Sequence, residues 1–479
     1  NKSGPRLDPR DVVYSRKSAP KAVSNIFPTA KRRTVDPTET VLVSDFQEYM
    51  KDAPFKKNME IVKGYDDLRK DRNLRTDEQK ALAFVDHIKN NLLFLFDSVP
   101  PDVRTRSAKW YEGANKLMQN LADKHGIDLS QASALAANLS PQKDWYMNAS
   151  LAERTADIFF EKADETFTPE MEKKAKELYI DGKAVSASKK KINQKVLDGI
   201  KGKSLSDLIA EDSPPVMQAM WIRTYDQTYN SPSYRIVSPE GDYLQYAKKK
   251  DGTNARVAWG SFTEIAKGIK ALLDPDIKSV STSLGEANKV RNFYNNIYDP
   301  SSELGFVTID THAVGAGLLR PVSGDSDQVS ANFGTLKGSS NSSITGYRGL
   351  YPFYEEAYKQ AAAERGVLPR EMQSITWEAV RGLFSPSYKA SDKNVEFVNN
   401  VWRDYNRKKI DLDEARERIL NHAGRITDPD WTRSDSGELA EDATSSYESQ
   451  LPSTGVPGQT GQLPSGGGRR GDVAARTTE

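Results

Sequence analysis

"SLGEANKVRNFYNNI", Ser283–Ile297, and "VTIDTHAVGAG", Val307–Gly317, carry the reading of this chain. In the first, Gly285 admits a positive φ and Ala287 lets backbones approach closely. Lys289 then opens an amphipathic helical stretch. Amides exposed where that helix begins would form an anion site made mostly of backbone, suited to a nucleic-acid phosphate. Lys289 itself has three readings: a point charge on phosphate, a Schiff-base nucleophile if its amine is desolvated, or a solvated lysine at an ordinary helix junction. In the second stretch, β-branched residues run into Asp310, and small residues follow at helical spacing. Asp310 is an N-cap by position, with a carboxylate that accepts backbone N–H bonds and stays ionised. Capping alone and a catalytic role are both open to it.

Composition removes several chemistries. The 479 residues include no cysteine, which excludes disulfides, thiolate metal sites and cysteine nucleophiles. His87, His125, His312 and His422 are far apart, and none falls in a metal-ligand spacing such as HExxH; no metal and no cofactor is expected. The longest apolar runs, such as "NNLLFLF" at Asn90–Phe96, are too short to cross a bilayer. Nothing reads as a secretory leader. The first residue, Asn1, fits a processed product or a segment of a longer polypeptide. With 68 basic and 67 acidic residues, the chain has a formal charge of +1 and no global field for nucleic acid.

Mean hydropathy is −0.68, and both ends are polar, so one large core with extensions is expected. Residues 1–40 carry nine Lys/Arg against four acids and read as a basic flexible arm. Residues 41–130 read as an N-terminal helical region, 131–390 as the core, 391–430 as a C-terminal helix and 431–479 as a disordered Gly/Pro/Ser-rich tail. Thr76 with Gln79 fits a capping box, and Gly126 after Lys124 and His125 fits a C-terminal stop. "SYRIVSPEGDYLQYA" alternates about a Pro-Glu-Gly-Asp turn and predicts a β-hairpin at about 233–247. "GTLKGSSNSSITGYRGL", 334–350, is a long Gly/Ser-rich loop. The fold class is mainly α.

Taken together, the two opening stretches resemble the helix-hairpin-helix DNA glycosylase superfamily. Its Leu-Pro-Gly-x-Gly-x-Lys-like hairpin is followed a short distance on by a Val-Asp-Thr-His-like segment bearing the essential aspartate. Gly285, Ala287 and Lys289 fall on the Gly, Gly and Lys places, and "TIDTHA" supplies Asp310. Ala287 replaces the second glycine, and Ser283-Leu284 replaces Leu-Pro. The resemblance covers 283–318 and, more loosely, 130–385. It implies a glycosylase-like helical core acting on the N-glycosidic bond of a flipped or modified base. In it, Asp310 activates the nucleophile or stabilises oxocarbenium charge, and Lys289 matches the nucleophile of the bifunctional members. The module also resembles that of phage-encoded polyvalent proteins, which implies DNA as partner, a virion or polyprotein context, and a location in the host cytoplasm or the virion.

Around this pair, "SPQKDWYMN" offers Gln142, Trp145 and Asn148 as groups to stack on and read a flipped base; the alternative is a core tryptophan and two caps. Arg223, Tyr225, Tyr229 and Tyr234 read as stacking or phosphate contacts, or equally as hairpin structure. Tyr347 and Arg348, with Gln373 and Trp377, read as pocket-closing groups, or as core and surface. Seven lysines between Lys183 and Lys203 offer phosphate contacts or a solvated face. The competing reading of the whole chain is a non-catalytic nucleic-acid-binding or virion-associated structural protein.

Overall fold

The computed structural model describes residues 46–51, 55–56, 58–59, 62, 74–141, 143–182, 185–249, 251–285, 287–324, 326–332 and 349–424. The basic arm, the Gly/Pro/Ser tail and all but the last two residues of the 334–350 loop lie outside them.

The chain is mainly helical. Helices α1 (Phe46–Lys51), α2 (Asp77–Ser98) and α3 (Pro101–Ser107) come first. A long helical run follows: α4 (Trp110–His125), α5 (Leu129–Leu139), α6 (Trp145–Glu161), α7 (Pro169–Tyr179), α8 (Ala187–Ile200), α9 (Leu205–Ala210) and α10 (Pro215–Tyr229). Strands β1 (Arg235–Val237) and β2 (Tyr243–Tyr246) then pair antiparallel, Val237 opposite Tyr243 and Arg235 opposite Tyr246. The remainder is α11 (Phe262–Leu273), α12 (Ile277–Leu284), α13 (Asn288–Tyr298), α14 (Thr311–Leu318), α15 (Asp327–Asn332), α16 (Tyr351–Arg365), α17 (Pro369–Leu383), α18 (Pro386–Lys389), α19 (Asp392–Asn406) and α20 (Leu412–Ala423). Among the described residues no helix is long and apolar enough to cross a membrane.

Local chemistry sets the boundaries. Thr76 and Gln79 form the expected capping box on α2, and Gly126 ends α4 in the left-handed conformation. The β-hairpin falls where alternation and the Pro-Glu-Gly-Asp turn put it, with Gly241 at φ 79°.

Two large apolar clusters and one small one hold these elements. The first gathers α1 and α2 from the start of the chain with α14, α16, α17, α19 and α20 from its end. The second is built by α4–α11 and the hairpin. The small one packs α12 and α13 onto α5 and α11, with Tyr294 and Tyr298 stacked at 5.5 Å. Small residues decide how closely the first cluster closes. A Cβ on Gly317 would stand 2.8 Å from Ile88 Cγ2 and 3.1 Å from Tyr354, so glycine lets α14 settle between α2 and α16.

The β-branched run before Asp310 is extended and buried but pairs with no strand among the described residues. Two of its backbone groups are satisfied by one hydroxyl instead. Tyr351 Oη donates to the Val307 carbonyl at 2.6 Å and accepts from the Ile309 amide at 3.1 Å and from Asn292 Nδ2 at 2.9 Å. A side chain of α16 thereby fixes the approach to Asp310 and links it to α13.

Candidate functional site

The 283–297 stretch folds as a helical hairpin. Gly285 ends α12 at φ 65°, ψ −147°, a combination essentially reserved for glycine. Arg291, buried one turn into α13, clamps that end: Nε donates to the Gly285 carbonyl at 2.6 Å, Nη1 to Ser281 Oγ at 3.1 Å and Nη2 to the Ser281 carbonyl at 2.8 Å. Ala287 is the N-cap of α13, and its methyl group offers no oxygen to the first-turn amides. Gly285→Ala should therefore cost about 1–3 kcal/mol, read as a lower urea midpoint with unchanged slope; an unchanged midpoint would show that the turn is not strained for other residues.

Asp310 caps α14, accepting the Ala313 amide at 2.8 Å. Its Oδ2 lies 3.8 Å from His312 Nδ1, an electrostatic contact too long for a hydrogen bond. Burial works to raise the carboxyl's pKa, but His312, Lys289 and the Ala313 amide outweigh it and hold the group below the usual aspartate value. Burial, reinforced by Lys389 and opposed by Asp310, drives His312 down to about 4. At neutral pH the imidazole is uncharged, and Lys289 is the other side chain that draws the Asp310 carboxyl down. Lys289 Nζ donates to the Ser140 carbonyl at 3.4 Å. Burial lowers its pKa, and Asp310 and Glu264 recover part of the loss. The two residues thus act on each other's charge, although Asp310 belongs to the core built by the chain ends and Lys289 to the central hairpin.

Further groups complete the surroundings. Lys143 Nζ donates to the Pro141 carbonyl at 3.3 Å, so the two lysine amines hang from consecutive carbonyls. Burial brings Lys143 down to about 8; Glu264 opposes this, and Arg223 and Lys289 reinforce it. Burial raises both Glu264, against Lys143 and the Ser261 amide, and Asp144, against the Met147 amide and Arg381. The Arg381 guanidinium lies 4.2 Å over the Trp377 ring, whose edge His312 meets at 6.0 Å. Asp310, Lys289, Glu264, Lys143, Asp144 and Arg381 form an electrostatic circuit in which carboxylates alternate with cations, and the uncharged His312 stands between Arg381 and Asp310. Ser140 Oγ, Asp144 Oδ2, both amide atoms of Asn148 and Arg381 Nε are buried without a protein partner. Unmet buried polar atoms are costly and mark where water or a ligand completes the structure.

The sequence candidates divide as follows. Gly285, Ala287, Lys289 and Asp310 come together at the hairpin. Asn148 is 1% exposed on α6, with its amide unsatisfied. Trp145, at the start of the same helix, packs edge-on against Phe293 at 5.9 Å. Arg223 donates to the Gly260 carbonyl at 3.0 Å and lies over Tyr179 and Phe262; its charge acts on Lys143. Tyr225 stacks on Trp221. Lys201 and Lys203 are ion-paired with Glu172 and Glu211. Gln142, Tyr347 and Arg348 lie outside the described residues. Sequence reasoning missed Lys143, Asp144, Glu264 and Arg381. The first two sit inside "SPQKDWYMN" itself, Glu264 reads only as the partner in a Ser261 capping box, and Arg381 follows Trp377 by one helical turn.

A family model described as "Family of unknown function (DUF7178)" matches residues 75–197 and 243–384, more than half of the chain. Every member of the circuit falls inside the matched segments; Arg223 and β1 fall between them. No curated protein and no solved structure matches.

Proposed function

We propose that this chain, which belongs to that family of unknown function, is a DNA N-glycosylase-like enzyme acting on the N-glycosidic bond of a flipped or modified base. The observation that carries the reading is the Lys289–Asp310 pair, a depressed amine and a depressed carboxyl acting on each other at the helical hairpin. Perturbed groups gathered in this way mark sites of chemistry. The carboxylate of Asp310 would stabilise positive charge on the sugar as the base departs with the bonding electron pair. Water, or the Lys289 amine in its neutral form, then adds to the sugar carbon. DNA is the partner this reading requires, with the uncapped start of α13 against a phosphate.

One observation favours a second reading. The Asp310 carboxylate already serves as a helix cap, as a non-catalytic nucleic-acid-binding or virion-associated protein would need.

Borohydride trapping separates the two. Incubation with DNA containing modified bases should yield a reduced covalent adduct that peptide mapping places on Lys289 and that Lys289→Ala loses at that position. Tight, salt-sensitive DNA binding with neither an adduct nor a released base across a panel of modified genomic DNAs would favour the second reading.

A further inference from the structure

We infer that Lys143, paired with Glu264, is a second carbonyl-reactive amine whose ligand class is an aldehyde next to an anionic group. The inference rests on the reading above only for the natural aldehyde, a ring-opened deoxyribose.

The geometry comes first. Lys143 and Lys289 donate to the adjacent carbonyls of Pro141 and Ser140. Glu264 is the first carboxylate acting on Lys143 and Asp310 the first acting on Lys289, with Glu264 reaching both amines. Gly260 fixes the first pair: a Cβ there would overlap Glu264 Oε2 and stand 3.2 Å from Lys143 Nζ. Carboxylate and amine are therefore held against one bare Cα, and glycine leaves the room for both. Glu264 is also held by its backbone, since Oε2 accepts the Ser261 amide at 3.1 Å in the capping box of α11.

Lys143 is not sealed inside; it keeps part of its surface in solvent. Burial, Arg223 and Lys289 together favour its neutral form, which is the nucleophile. Around the Lys143–Glu264 pair stand three cations, Arg223, Lys289 and Lys267, against one further carboxylate, Asp144. That excess suits an aldehyde carrying a phosphate.

The step balances without a further reagent. Lys143 Nζ adds to the aldehyde carbon, forming a C–N bond as the carbonyl electron pair moves to oxygen. Glu264 takes one proton from nitrogen and passes it to the alkoxide, and a second proton, drawn from solvent, lets the resulting hydroxyl leave as water. The product is a protonated imine, and added borohydride delivers hydride to carbon and leaves a secondary amine.

The probe is pyridoxal 5′-phosphate, an aromatic aldehyde bearing a phosphate, supplied to the full chain below stoichiometry near neutral pH, followed by borohydride and peptide mapping. Lys143 should carry most of the label. Glu264→Gln, which keeps the capping box, should slow labelling by at least about tenfold. Lys143→Arg, which retains charge and stem, should abolish labelling at this site, whereas Lys289→Ala should leave it in place. Label spread over the exposed lysines of α8, label on Lys289 alone, or a Glu264→Gln rate equal to wild type would overturn the proposal. Labelling of Lys143 with neither base release from modified DNA nor an adduct to an abasic-site duplex would uphold the amine site and reject the glycosylase reading instead.

Discussion

Asp310→Asn should lower base release by about 10²–10⁴-fold, the range lost with a group that shares proton or charge development in a transition state. The fold should survive, because asparagine is as good an N-cap as aspartate and can still accept the Ala313 amide. The pH dependence has a definite sign. A carboxyl whose folded pKa is depressed is ionised, and stabilises the fold, above its unfolded value; both are lost as pH falls through the depressed folded pKa. The acid limb of the wild-type rate should therefore lie below the ordinary aspartate range, and the asparagine variant should lack it. The measurement is release of free base from modified genomic DNA across the acid range, with thermal unfolding of both proteins as control. Wild-type rates in the variant would leave Asp310 with capping alone.

Tyr351→Phe should destabilise the protein by about 2–4 kcal/mol, taking 1–3 kcal/mol for each buried group left unpaired, with some regaining water. One hydroxyl serves the Val307 carbonyl, the Ile309 amide and Asn292, and phenylalanine satisfies none of them. Tyr294 provides the internal comparison: its hydroxyl is buried without a partner, so Tyr294→Phe should be neutral or stabilising. Urea midpoints at constant slope measure both. Equal midpoints for the two variants would mean that the Tyr351 hydroxyl does not hold the segment before Asp310. Base release should fall further than stability alone predicts, since that segment sets where the carboxylate stands.

The legible parts of the chain are those where local chemistry decides. The Thr76 box, the Gly126 stop, the hairpin about Gly241 and the Asp310 cap all depend on residues within a turn of one another, and all form. The helical hairpin at Gly285 was legible for the same reason. What sequence pattern does not carry is contact between distant segments. "FVTID" reads as a strand by composition, yet its backbone partner is a tyrosine hydroxyl more than forty positions on, as the bond from Tyr351 to Val307 shows. Lys143 and Glu264 look like one solvated lysine and one capping glutamate until Gly260 brings them together. Arg223 looks like a phosphate contact, but the Gly260 carbonyl lies within its reach and takes its hydrogen bond.

The packing of α2 with helices that follow Asp310 has a consequence for dissecting the molecule. A fragment ending before Val307 would retain the hairpin and both lysines while leaving the apolar face of α2 bare and the carboxylate missing. The two deficits have one remedy, because the segment that covers α2 is the segment that delivers Asp310. Adding that C-terminal piece in trans should restore chemistry and solubility in the same titration, with one midpoint for both.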